Sequence, residues 1–127
     1  MTPHFANHEL TCKCGCGRLP SLALAWMLEE TRKDGGGWPI VLSSGMRCPG
    51  HNKNVGSRST SLHIPGLAVD VVRWGKLDTR QRCPKARQDI IDLFTRNGWW
   101  CYDGGDHIHA DFRLRFPRLL SLRQEWA

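Results

Sequence analysis

The stretch HIPGLAVDVV, residues 63–72, decides how the chain folds. Residues 67–72 are apolar except for Asp70 and predict a buried strand. A lone buried carboxylate is costly unless it is paired or bound to a metal. The turn predicted at Pro65 and Gly66 would fold His63 back over Asp70. The alternative is that Asp70 is a strand-end residue that bonds loop amides.

A second polar stretch, DHIHAD at residues 106–111, carries two histidines spaced two apart. In a regular strand, His107, His109 and Asp111 would share one face. Histidines beside a carboxylate are typical of catalytic zinc sites, which use three protein ligands and leave a fourth position open. Histidines also occur in ordinary sheets, so neither polar stretch by itself establishes a metal site.

The rest of the chain alternates helical and extended patterns around these stretches. The predicted elements are a helix over 21–34 with Ser21 as N-cap, a strand over 38–42, a long loop over 43–66, a helix over 80–96, and a hairpin of 99–102 with 107–112. Loops as long as 43–66 are usually functional in compact domains. The pattern predicts one α+β domain over 1–127, with a small, mostly antiparallel sheet and helices on one side.

Composition limits the classes of function. The formal charge of +6 implies attraction to polyanions such as nucleic acid, anionic lipid or the bacterial wall. The basic residues are scattered, which disfavours a dedicated nucleic-acid-binding domain. No apolar run is long enough to predict a membrane span. The first residues lack a secretory pattern, so we expect a protein that stays cytoplasmic until it is released.

Three of the six cysteines, Cys12, Cys14 and Cys16, form one tight run. Neighbours one residue apart are poorly placed to bridge each other, so the run favours metal ligation or inert thiols over mutual disulfides. A second, structural zinc would need a fourth ligand, with Cys48, Cys101 or a histidine as candidates. A disulfide from the run to Cys48 or Cys101 is the alternative in an oxidising exterior.

Three segments of the sequence are informative because of their order and spacing along the chain. They are SGMRCPGHN at 44–52, VGSRSTSLHIPGLAVD at 55–70 and DHIHADFR at 106–113. Together they resemble the zinc D-Ala-D-Ala carboxypeptidase family of peptidoglycan peptidases, which includes small phage-type lysins. That family carries SGYRCPxHN, then VGGAxxSxHxxGxAxD, then (D/E)xxH. The resemblance implies a fold like that of hedgehog proteins and DD-peptidases.

The resemblance also implies roles for individual residues, matched position by position. The implied roles are zinc ligation by His63, Asp70 and His109, general base for Asp106, substrate binding and polarisation for Arg47, transition-state support for His107, and bonding of the substrate backbone for Ser61. A regular strand would turn Asp106 away from the two histidines, so the chain must bend there. Asp111 is the rival carboxylate.

The sequence departs from the family pattern near the implied site. Met46 replaces a tyrosine, and the pair Ser57 and Arg58 replaces Gly-Ala, which adds positive charge beside the cleft. The resemblance predicts a monomeric, zinc-dependent peptidase that cuts peptidoglycan stem peptides as a phage or prophage lysin. D-Ala-D-Ala, L-Ala-D-Glu and interpeptide bonds all remain candidates. The alternatives are a non-catalytic, zinc-bearing wall-binding module on the same fold and a basic nucleic-acid-binding domain.

Overall fold

The structure, a computed structural model, describes residues 2–58, 60–81 and 83–115. Their helices and strands, in chain order, are α1 Asn7–Leu10, α2 Leu22–Asp34, β1 Ile40–Ser44, α3 Pro49–Asn54, β2 Ala68–Trp74, β3 Leu77–Asp78, α4 Pro84–Arg96, β4 Trp100–Asp103 and β5 Ile108–Asp111. The strands form one antiparallel sheet in the order β1-β2-β5-β4, with β3 paired to β2. The predicted α+β class is confirmed.

The two faces of the sheet differ sharply in character. Val69 and Val71 of β2, with Ile108 and Ala110 of β5, enter the same buried cluster as apolar side chains of α2 and α4. Because strand side chains alternate between faces, the residues between them point to the opposite face. The helices therefore stabilise one face by apolar burial, and polar side chains of the central strands are left to the other.

Several boundaries differ from the prediction, most of all at the start of α4 and within the segment 43–66. Helix α4 begins at Pro84 rather than at residue 80, because proline suits the first helical position and Cys83 takes the N-cap. Residues 77–78 instead form β3. The segment 43–66 is not loop throughout, since β1 extends to Ser44 and α3 occupies Pro49–Asn54. A helix of six residues is too short to show a recognisable hydrophobic period.

The β4–β5 hairpin places its polar residues just ahead of the second strand. Gly105 adopts a positive φ of 96°, and the Gly104 N–H donates to the His107 carbonyl at 2.9 Å. Strand β5 begins only at Ile108, so Asp106 and His107 lie in the turn rather than on the strand face. The turn therefore supplies the bend at Asp106, which a regular strand would have turned away from the two histidines. In the described ranges, no helix combines the length and apolarity needed to cross a membrane.

Candidate metal centre

Three donor groups converge on the polar face of the sheet. Asp70 of β2 lies directly opposite His109 of β5 in the strand register, and His63 reaches them from the preceding turn. Asp70 Oδ1 lies 3.0 Å from His63 Nε2 and 3.4 Å from His109 Nδ1. Donors around a tetrahedral zinc are separated by about 3.3 Å when the bonds are about 2.05 Å long. The spacing therefore matches a zinc ligand set.

The turn that carries His63 is held by local hydrogen bonds. The His63 N–H donates to Ser61 Oγ at 3.2 Å, and the Gly66 N–H donates to the His63 carbonyl at 3.1 Å. On the ring, Nδ1 lies 2.7 Å from the carbonyl oxygen of Gly45. The chain thus folds back after residue 60 and aims the other ring nitrogen at Asp70.

The protonation of the His63 ring leaves a nitrogen that can bind a cation. A carbonyl oxygen only accepts, so the bond to Gly45 requires the proton on Nδ1 and leaves a lone pair on Nε2. Burial lowers the pKa of His63, which favours this neutral form. The Nε2 lone pair then faces Asp70 Oδ1 at 3.0 Å, acceptor against acceptor. A cation between the two atoms would satisfy both.

His109 is oriented by a second carboxylate behind its ring. Nε2 lies 2.7 Å from Oδ2 of Asp111, which is fully buried and also accepts from Arg113 Nη2 at 2.8 Å. Burial raises the pKa of Asp111, but hydrogen bonds from His109 and Arg113 outweigh it and bring the pKa down to about 2. Such outer partners fix the orientation of ligating histidines. Asp111 therefore lies behind the centre, on the far side of His109 from Asp70.

Arg47 binds the second oxygen of Asp70. Its Nη2 donates to Asp70 Oδ2 at 3.0 Å, and its other nitrogens donate to Ser44 Oγ and Asn52 Oδ1. Burial raises the pKa of Asp70, but its close contacts with the rings of His109 and His63 outweigh it and leave the pKa well below the ordinary range. Arg47 is only 8% exposed, so it holds a buried, ionised carboxylate with one oxygen turned to the centre.

Asp106 and His107 form a pair at the rim. His107 Nδ1 lies 2.8 Å from Asp106 Oδ1, and its Nε2 lies 3.9 Å from Asp70 Oδ1. The Asp106 side chain is 84% exposed, and its hydrogen bond with His107 lowers its pKa. The imidazole rests so close to Gly104 that a Cβ there would overlap the ring. The His107 ring therefore lies between Asp106 and Asp70, one of the three candidate metal ligands.

An open cavity of about 450 Å³ gives access to the centre. Every residue that the sequence assigned to the site lines it: His63, Asp70, His109, Arg47, Ser61, Asp106 and His107. A neighbouring cavity shares Ser61 and His109 and adds Arg58 and Arg113. Asp111 does not line either of these two cavities, which separates it from its rival Asp106.

Two further side chains shape this site, although neither belongs to the set of site residues predicted from the sequence. Tyr102 stacks on His109, with ring centroids 4.7 Å apart and an angle of 20°, and borders both cavities. Asn52 is buried and accepts from Arg47. Tyr102 lies opposite His109 in the β4–β5 register, so the hairpin prediction contained a usable signal. Asn52 lies on α3, which was not predicted.

A comparison with protein families identifies a match over most of the chain. The family described as Peptidase M15 matches residues 3–111, which include all three donors and the rim pair. No curated protein matches the chain.

Proposed function

Because the chain belongs to the peptidase M15 family, we propose that it is a zinc-dependent peptidase that hydrolyses peptide bonds of bacterial peptidoglycan. The main supporting observation concerns His63, Asp70 and His109. All three are buried, their possible ligand atoms lie within 4.8 Å of one another, and they line an open cavity. In each of the three, the polar atom that faces away from the other two is bound by another protein group. These groups are the Gly45 carbonyl for His63 Nδ1, Arg47 for Asp70 Oδ2 and Asp111 for His109 Nε2. Such support is typical of a preorganised metal site.

His63, Asp70 and His109 would hold the zinc ion. A zinc with three protein ligands acts as a Lewis acid on a carbonyl and activates water near neutral pH. Arg47 binds Asp70 Oδ2 and so keeps Asp70 Oδ1 turned toward His63 and His109. Its guanidinium has five N–H groups, of which three are engaged by protein acceptors. The remaining two are available to the carbonyl of a bound peptide.

Proton transfer falls to the rim pair. Asp106 is exposed and its hydrogen bond with His107 lowers its pKa further, so its carboxylate is ionised near neutral pH. Asp106 lines the same cavity as the proposed ligands, so its Oδ2 atom would accept the proton of a water that attacks from the cavity side of His107 and then deliver it to the leaving amine. A doubly protonated His107 would donate from Nε2 to charge that develops on the substrate, while its Nδ1–H donates to Asp106 and orients the ring.

The neighbouring cavity supports an acidic peptide as substrate. Arg58 and Arg113 both line it, and Arg113 is stacked on Trp100 with its guanidinium carbon 3.4 Å from the ring centroid. The Nε and Nη2 groups of Arg113 already bind Asp111, so Arg58 would be the residue that binds a substrate carboxylate in the fixed geometry of a guanidinium. Peptidoglycan stem peptides carry free carboxylates. The chain charge of +6 would add attraction to anionic wall polymers, which suits a phage or prophage lysin.

The test compares wall digestion by the wild type and by His63→Ala. Zinc-loaded wild type should release peptide fragments from purified peptidoglycan, and mass spectrometry of the fragments would identify the bond. His63→Ala should reduce the rate at least about 1000-fold, because it removes a ligand. His8→Ala, which changes an exposed histidine of α1, serves as control. Equal rates for His63→Ala and wild type would overturn the metal assignment.

A non-catalytic wall-binding module is the competing function, and Asp106→Ala separates the two. An enzyme should lose most of its rate in this variant while it still binds the wall. A binding module should show no fragment release in any variant and unchanged wall affinity in Asp106→Ala. Absence of release from every peptidoglycan type tested, with binding intact, would favour the module.

A further inference from the structure

Four cysteine thiols converge outside the centre described above. The Sγ atoms of Cys12, Cys14, Cys16 and Cys48 all lie within 4.8 Å of one another. The Sγ atoms of Cys12 and Cys14 are 3.4 Å apart, and those of Cys14 and Cys48 are 3.5 Å apart. Cys12 is buried, Cys48 is half-buried and the other two are exposed.

The spacing of these thiols suits a shared metal ion. Sulfurs around a tetrahedral zinc with bonds of about 2.3 Å are about 3.8 Å apart, whereas a disulfide requires about 2.05 Å. Four thiolates in a tetrahedron are a preferred environment for zinc. We propose that Cys12, Cys14, Cys16 and Cys48 bind a second zinc ion, as a structural site separate from the catalytic centre.

The local backbone supports the thiol cluster. Gly15 and Gly17 have φ values of 85° and 78°, which allow the tight reversal that turns alternate cysteines toward one point. The Cys48 N–H donates to Cys12 Sγ at 3.3 Å, and the His51 N–H donates to Cys48 Sγ at 3.4 Å. Amide hydrogen bonds to sulfur are outer-shell contacts of the kind that orient metal ligands.

The loop that carries the first three cysteines has little else to hold it. Residues 13–19 are all exposed, so apolar burial contributes little to its order. Ordering a loop of this length costs about 1–2 kcal/mol per residue in backbone entropy. Binding of a metal by groups that the unfolded chain does not preorganise contributes directly to folding. A zinc ion would supply the missing stabilisation.

The second zinc would also position the catalytic centre. Cys48 directly follows Arg47, and Lys13, between two of the cysteines, lines the catalytic cavity. On the same side, the Met46 N–H donates to the Leu10 carbonyl at 2.9 Å. The site would therefore tie the N-terminal loop to the segment that carries Arg47 and the Gly45 carbonyl.

The test counts zinc in four forms of the full chain, purified under reducing conditions. We expect about two zinc ions per chain in the wild type, about one in Cys14→Ser/Cys16→Ser, about one in His63→Ala, and none in the combined variant. Cys83→Ser, which alters an exposed cysteine outside the cluster, should keep both. The proposal would be overturned if the wild type held only one zinc ion and His63→Ala lost it. It would also be overturned if the cysteine cluster held iron instead of zinc.

Cobalt substitution identifies the ligands. Cobalt-loaded His63→Ala should show thiolate-to-cobalt charge-transfer bands, and Cys14→Ser/Cys16→Ser should lack them. Disulfides among these cysteines in the freshly purified protein would contradict the proposal. These readouts do not depend on hydrolysis. A chain that holds both ions but cuts no peptidoglycan would refute the proposed function and leave the second site intact.

Proteolysis reports on what the second zinc stabilises. Trypsin should cleave after the exposed Lys13 and Arg18 at least about tenfold faster in Cys14→Ser/Cys16→Ser than in wild type, because the loop opens locally without its metal. Cleavage after Lys76, in the turn between β2 and β3, is the internal control and should not change. Equal cleavage at Lys13 in both forms would show that no metal orders the loop.

Discussion

The carboxylate of Asp111 lies 2.7 Å from Nε2 of His109, on the side of the ring away from Asp70. This buried contact requires the ring proton on Nε2, because the ionised carboxylate only accepts. It leaves Nδ1 free to face the centre. The orientation of one proposed ligand is therefore controlled by a residue that contributes no ligand itself.

Asp111→Asn should weaken zinc binding at the catalytic centre by about 10–100-fold, since outer-shell substitutions typically have this effect. The amide oxygen can still accept from His109, but the negative charge that supports the ligand is lost. The measurement is the dependence of peptidoglycan hydrolysis on free zinc set by a metal buffer. Asp89→Asn, at a half-buried position of α4 that lines neither of the two cavities at the centre, is the control. An unchanged zinc dependence in Asp111→Asn would show that the contact does not tune the metal.

Arg47→Lys should lower kcat/KM by about 100-fold while zinc content stays the same. A lysine ammonium can still approach Asp70, but it cannot bind Ser44, Asn52 and Asp70 together in the geometry of a guanidinium. The measurements are kcat/KM on a defined stem peptide and zinc per chain. Arg87→Lys, at a surface ion pair, should leave both unchanged. Loss of zinc in Arg47→Lys would instead mean that Arg47 serves only to hold the ligand.

Gly104→Ala should reduce kcat/KM by about 10–100-fold, because the new Cβ would overlap the imidazole of His107 and displace it. Gly50→Ala is the matched control, since a Cβ at Gly50 meets no atom within 4 Å. In a His107→Ala background, Gly104→Ala should have no further effect on kcat/KM. A full additional loss in that background would mean that Gly104 acts on the hairpin rather than on His107.

Glu29→Gln should reduce the free energy of unfolding by about 1 kcal/mol at neutral pH. Glu29 of α2 accepts from the His4 amide at 2.6 Å and pairs with its ring at 2.7 Å. Burial raises the pKa of Glu29, but these contacts outweigh it and leave the pKa below its ordinary value. Because the folded pKa is the lower one, this stabilisation exists above the unfolded pKa of about 4.3 and is lost as the pH falls through the folded pKa.

Denaturant unfolding at a series of pH values checks that prediction. The difference between wild type and Glu29→Gln should be greatest above about pH 5 and shrink as the solution becomes more acidic. Glu30→Gln, the exposed neighbour on the same helix, should follow the wild type at every pH. A constant difference between wild type and Glu29→Gln across the range would contradict the linkage.

The parts of the fold that were predictable are those with a strong local pattern. Strand β2 follows from a run of apolar residues around Asp70, and α2 follows from Ser21 and the glycines after Asp34. The Ser21 side chain does accept from the Ala23 N–H at 3.2 Å. The short elements α3 and β3 were missed, because a few residues carry too little periodic signal and depend on tertiary contacts.

The grouping of the site residues was predictable from motif order, but their contacts were not. Arg47 and Asp70 are 23 residues apart, and only the folded chain shows that they share a buried ion pair. The position of His107 between Asp106 and Asp70 depends on where β5 begins, which the strand pattern left open. Cys48 was one of several candidates beside the cysteine run, and three-dimensional proximity distinguishes it from Cys101.

Because Asp70 and His109 lie opposite each other in the pairing of β2 with β5, the proposed zinc would act as a check on correct folding. A slip of one residue between these strands would send one donor into the apolar interior and the other out of reach. A misaligned chain would then have two donors at most and would bind the ion weakly. Since a ligand stabilises the form that binds it, zinc in the cell would select the correctly aligned sheet and leave misaligned chains to proteolysis.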